Sequence, residues 1–105
     1  MATAYLREYA NAAAVHGNLV QAGAEPGLAD QTITTSGTTA PSNAFHANTQ
    51  MIAISTPAAQ AVACLFSPTR GATPTALVSS LRLPANSIFF FGVRPGDKVA
   101  LIDVT

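Results

Sequence analysis

The strongest pattern in this chain is a pair of runs near its end that are apolar on both faces. In Ser87–Val93, Ile88 and Phe90 point one way, and Phe89, Phe91 and Val93 the other. In Lys98–Val104, Val99 and Leu101 oppose Ala100, Ile102 and Val104. A solvated sheet alternates apolar with polar residues, so strands of this kind need cover on both sides. Arg94-Pro95-Gly96-Asp97 joins them. Proline presets φ at the second position of a turn, and glycine accepts the positive φ that a type II turn needs at the third. The stretch reads as a hairpin that its own fold covers on one side, with the other side covered either by the same fold or by another chain.

Upstream, Gly37, Pro41, Pro57, Pro68, Gly71, Pro74 and Pro84 leave room for strands and loops but not for a long helix. The further strand candidates are Gln31–Thr35, Asn43–His46, Thr49–Ser55, Ala61–Phe66 and Ala76–Leu83. Within them Ile52 and Ile54 share one face, as do Leu81 and Leu83 across Arg82. The expected fold is all-β, a small antiparallel sandwich or barrel of about six to eight short strands.

The composition changes near residue 30, which divides the chain into residues 1–30 and a β domain over residues 31–105. The first segment holds good helix formers, with Tyr5 and Tyr9 at i, i+4, but its apolar residues do not sustain one stripe. Gly17, Gly23, Pro26 and Gly27 break any continuation. The expectation is an extended N-terminal arm containing a short strand, ordered by a neighbour, with a helix as the alternative.

Charge sharpens the picture. Only 10% of the 105 residues are charged, and five basic residues balance five acidic ones. A near-zero net charge favours association. Arg7, Arg70, Arg82, Arg94 and Lys98 are scattered rather than clustered, which argues against nucleic acid as a partner. No run approaches the roughly 18 apolar residues of a membrane span, so no membrane partner is expected. The N-terminus lacks the basic region and apolar block of a signal peptide.

Candidate chemistry is sparse. His16 and His46 stand alone, without the spacing of a metal site, and read as surface or turn residues. Cys64, the only cysteine, lies in an apolar run and reads as a small buried hydrophobe. Of the carboxylates Glu8, Glu25, Asp30, Asp97 and Asp103, Asp97 is placed by its turn and Glu25 by the proline after it. No nucleophile motif or phosphate cradle occurs; Ser36-Gly37-Thr38-Thr39 reads as a loop tip. The expectation is a protein without catalytic residues, metal or cofactor. There is no tryptophan and both tyrosines lie in the N-terminal segment, which disfavours a carbohydrate-binding sandwich.

The succession Asn43-Ala44-Phe45, Thr49-Gln50-Met51-Ile52, Ala63-Cys64-Leu65-Phe66, Pro74-Thr75-Ala76, Leu83-Pro84-Ala85-Asn86 and Phe91-Gly92-Val93-Arg94-Pro95-Gly96-Asp97-Lys98-Val99 resembles small virion proteins of tailed bacteriophages. The opening Ala4-Tyr5-Leu6-Arg7-Glu8-Tyr9 and Leu28-Ala29-Asp30-Gln31 share the resemblance. The nearest functional label is the head decoration, or cement, protein. That resemblance implies a β-rich domain, often trimeric, on the outside of the phage capsid, with the major capsid protein and copies of itself as partners. Tyr5, Leu6, Arg7 and Tyr9 would then contact the capsid, and Phe89, Phe91 and Arg94 a neighbouring subunit. The alternative within the virion is a protein of the tail, connector or fibre.

Overall fold

A computed structural model describes residues 2–15, 18–23 and 27–104. The described strands are β1 (Ala2–Tyr9), β2 (Ala12–Val15), β3 (Asn18–Gly23), β4 (Ala29–Thr35), β5 (Ala40–Pro41), β6 (Met51–Ser55), β7 (Val62–Phe66), β8 (Leu81–Leu83), β9 (Ile88–Gly92) and β10 (Val99–Asp103). They form two four-stranded antiparallel sheets, ordered β4-β1-β6-β9 and β5-β10-β7-β8, and a separate β2-β3 ribbon. The architecture is a β-sandwich rather than a closed barrel. Its sheets approach each other along one side, where β4 lies beside β5 and β10 and the Asp103 N–H donates to Ser36 O at 2.8 Å.

The expected arm over residues 1–30 is corrected by β1. This strand pairs with β4 from Ala2↔Thr35 to Glu8↔Ala29, and with β6 from Tyr5↔Ser55 to Tyr9↔Met51. It is an interior strand of the first sheet, and Ala4 and Leu6 are buried in the core. Its burial alternates because a strand turns successive side chains to opposite faces. The inward set Ala4, Leu6 and Glu8 includes a carboxylate, while the outward set is Tyr5, Arg7 and Tyr9. That inversion hides the strand from a reading of polarity alone. The ribbon β2-β3 interrupts the connection from β1 to β4.

The closing hairpin is also corrected. The turn itself forms, with Gly96 at φ 80° and the Asp97 N–H reaching Arg94 O at 3.3 Å. The two runs it joins do not pair: β9 pairs with β6, and β10 with β7 and β5. A type II turn splays its flanking strands instead of matching their twist, so here it carries the chain from one sheet to the other. Asn43–His46 is irregular, and of Ala76–Leu83 only Leu81–Leu83 is a strand.

The core lies between the sheets, built from Leu6, Ile33, Phe45, Ile52, Ile54, Val62, Cys64, Leu83, Val99 and Leu101. A second apolar cluster of Ala63, Ala76, Ala100, Ile102 and Val104 covers the far face of the second sheet. The loop between β7 and β8 supplies Ala76, whose N–H donates to Thr39 Oγ1 at 2.9 Å. Both faces of β10 are therefore covered from within the chain.

Candidate functional site

Antiparallel register places residues of neighbouring strands side by side on the outer face of the first sheet. One row runs Thr32, Tyr5, Ser55, Ile88, and the next Asp30, Arg7, Ala53, Phe90. These residues line a shallow groove of about 560 Å³, with Tyr9 at one end. Its apolar surface is carried by Tyr5 and Ile88, 58% and 64% exposed, and by half-buried Phe90. Tyr9 is buried beneath this surface, its ring centroid 6.4 Å from that of Phe90. Among the described residues, β3 approaches β6 and β9 but leaves Tyr5 and Ile88 exposed, whereas the β7–β8 loop covers the second sheet.

Apart from Ser55 on β6, polarity is concentrated at the rim near β4. The Arg7 guanidinium grips Asp30 through two bonds, Nε to Oδ1 at 2.7 Å and Nη2 to Oδ2 at 3.2 Å. Hydrogen bonding from Arg7 holds the Asp30 carboxyl below the usual carboxylate range. A forked guanidinium–carboxylate pair fixes both side chains in one geometry, so the rim is oriented although it is exposed.

The structure thus brings Tyr5, Arg7 and Tyr9 to one face and separates Leu6 from them. Leu6 is 2% exposed and points into the core, so it is not a surface contact. Phe89 and Phe91 are only half-buried. They turn inward, opposite Ile54 and Ile52, and pack against the core, with Phe91 5.1 Å from Phe66. The open aromatic surface belongs to Phe90 instead. Arg94 lies in the turn, where its Nε donates to Asp97 Oδ2 at 2.6 Å and its Nη2 to Ser67 O at 3.0 Å. Ile88 and Phe90 were absent from the expected contacts because both faces of β9 are equally apolar in sequence.

Several titratable groups are engaged in structure. The buried Glu8 carboxylate accepts from the His46 N–H at 2.7 Å, Thr49 Oγ1 at 2.8 Å and Gln31 Nε2 at 3.0 Å. It ties β1 to β4 and to the turn before β6, a satisfied polar network inside the fold. No sequence motif announces it. His46 Nδ1 accepts from the Asn48 N–H at 3.0 Å within its own turn. Asp97 bonds across the fold as well as within its turn, its Oδ1 accepting from the Gly71 N–H at 2.7 Å. That backbone bond, with Arg94, holds its carboxyl below the ordinary value. Burial pushes the Cys64 thiol up to about 11, which suits a packing role. His16 and Glu25 lie outside the described residues. Among the described residues no three His, Cys, Asp or Glu side chains gather as a metal site would require.

Comparison with protein-family models, curated proteins and solved structures finds no match for this chain. The outer face of the first sheet is the best-defined surface available for recognition: an apolar floor, a rim ordered by one ion pair, and no clustered acid–base machinery.

Proposed function

We propose that this chain is a non-enzymatic structural protein of a phage virion, a decoration or cement protein that binds the outside of the head through the outer face of its first sheet. The observation that carries this reading is the open groove in which Tyr5, Arg7, Ile88 and Phe90 are displayed together. An exposed apolar patch rimmed by polar residues is the form of a protein-binding surface. Aromatic anchors supply large contact area at low entropic cost, and arginine is enriched with them at such surfaces. A net charge of zero gives the chain little means of keeping other proteins at a distance. The partner is the major capsid protein, and the capsid lattice presents many copies of that partner in fixed array.

The test is co-sedimentation with expanded capsids of the parent phage, followed by heating of the decorated particles. The wild-type protein is expected to bind and to raise the temperature at which the capsids open. Tyr5→Ala and Ile88→Asp change exposed side chains, so they should fold normally and weaken binding by at least about tenfold. Failure of the wild-type protein to bind, or a label found on tails rather than heads, overturns the reading.

A further inference from the structure

A sandwich ends in strand edges, and an unpaired edge offers main-chain donors and acceptors to any other strand. On one side of this molecule the edges are closed off. Beside β4, the Gln31 side chain engages both backbone groups of Asn43, at 2.9 and 3.4 Å, and β5 is two residues long and includes Pro41. On the other side β8 is three residues long, with Arg82 at its centre and Pro84 after it. The fourth edge, β9, carries Ile88-Phe89-Phe90-Phe91-Gly92 with no charge and no proline, in unbroken register with β6. It has neither the charge nor the proline that blunts the other edges, and β3, which approaches it, does not pair with it.

The hydrogen bonds to β6 identify which groups of β9 face outward. The Thr56 N–H donates to Ser87 O at 2.8 Å, and the Val93 N–H to Gln50 O at 3.0 Å. In an antiparallel ladder alternate residues bond the same neighbour, so Ser87, Phe89, Phe91 and Val93 face β6. Ile88, Phe90 and Gly92 therefore turn their N–H and C=O groups away from the sheet. Among the described residues no strand pairs with them.

We propose that this edge pairs with its own counterpart in a second copy of the chain, antiparallel about a two-fold axis through Phe90. The two first sheets would then become one continuous sheet. In this register Phe90 lies opposite Phe90 and Ile88 opposite Gly92 of the second copy, so every outward main-chain donor meets an acceptor. A two-fold contact must be self-complementary, and side-chain sizes meet that condition here. Ile88 is the most exposed large side chain of the first sheet. Gly92 has open space where its Cβ would stand and is not among the positive-φ glycines, so nothing among the described residues calls for its missing side chain. Pairing supplies the reason, because Ile88 of the second copy would fill that space.

The same axis sets Phe89 opposite Phe91 of the second copy on the inner side, covering the parts of both rings that one copy leaves half-exposed. The edge carries no charge, so two copies meet without like-charge repulsion. The phage resemblance implies a trimer, whereas this edge specifies a two-fold pair. Ile88 and Phe90 also line the groove proposed for capsid binding, so Gly92, which does not line it, separates the two proposals.

Sedimentation velocity from about micromolar to about millimolar protein reads the association directly. The expected result is a concentration-dependent monomer–dimer equilibrium. Amide exchange followed by NMR across the same range reads the register. The amides of Ile88, Phe90 and Gly92 should slow at least about tenfold on association, while those of Phe89 and Phe91 stay protected throughout. Gly92→Val fits the open space of the single chain and collides with Ile88 of the second copy. It should fold, by circular dichroism, and weaken the dimer at least about tenfold. Ile88→Lys, at an exposed site, should do the same and keeps the test intact if Gly92→Val disturbs folding. A protein that stays monomeric, forms trimers, or dimerises without protecting Ile88, Phe90 and Gly92 overturns the proposal. So does a dimer that both variants leave unchanged, or pairing of β9 only with a capsid strand. Capsid binding by Gly92→Val, assayed separately, distinguishes failure here from failure of the capsid reading.

Discussion

β9 and β10 have nearly the same sequence pattern and opposite situations. Each is apolar on both faces, yet Val99, Ala100, Leu101 and Ile102 of β10 are all buried, whereas Ile88 of β9 is exposed and its three phenylalanines are half-buried. The difference is position. β10 lies between β5 and β7, with the core on one side and the Ala76 segment on the other. β9 is the last strand of its sheet, and although β3 approaches it, Ile88 stays exposed. A two-sided apolar strand therefore states a demand for cover, and the tertiary structure decides whether the chain itself meets it.

The comparison can be broken most severely by deleting Met1–Tyr9. β1 lies between β4 and β6, so its loss removes the support of the sheet that carries β9. Loss of the β-type circular dichroism and of cooperative unfolding is expected; a stable fold would mean the second sheet and its cover stand alone. A smaller effect comes from Leu101→Ala, which opens a cavity at a fully buried site and should cost about 2–5 kcal/mol by denaturant unfolding. Ile88→Ala, measured at a concentration where the protein is monomeric, should cost less than about 0.5 kcal/mol. Equal costs would show that the two strands are not distinguished by burial.

Next in size is Thr39→Val, which removes the acceptor that holds the Ala76 N–H over β10. The unpaired buried donor should cost about 1–3 kcal/mol, and binding of a hydrophobic dye should rise as Ala100 and Ile102 are uncovered. Asp97 gives the smallest effect and shows it only in acid. Its carboxylate anchors the Gly71 turn of the same covering loop, and its folded-state value is depressed. Its contribution is therefore complete above the unfolded value of about 3.9 and is lost as pH falls through the lower folded value. Stability measured from pH 5 downward should fall for the wild type and lose part of that slope in Asp97→Asn. Asp30 titrates in the same direction through Arg7, but its pair is exposed, so added salt should reduce its share and leave that of Asp97.

Several elements were readable along the chain. Thr49–Ser55, Ala61–Phe66 and the two closing runs each contain a strand, because β-branched and aromatic residues between turn residues identify strands locally. β1 was not readable, since its inward Glu8 is satisfied only by Gln31, His46 and Thr49, residues 23 to 41 positions away. Tyr5, Arg7 and Tyr9 were legible as surface candidates, but the neighbours that make them a groove come from β4, β6 and β9.

By itself, then, the sequence determined that this protein is all-β, that Arg94–Asp97 is a turn, and that its last two strands are apolar on both faces. These follow from local backbone preferences and side-chain polarity. Only the tertiary structure decided that the turn links two sheets, that Phe89 and Phe91 face the core, and that Ile88 and Phe90 stay open. The physical reason is that a strand's neighbours, and therefore its covered face and free edge, are set by pairing with residues distant in the chain.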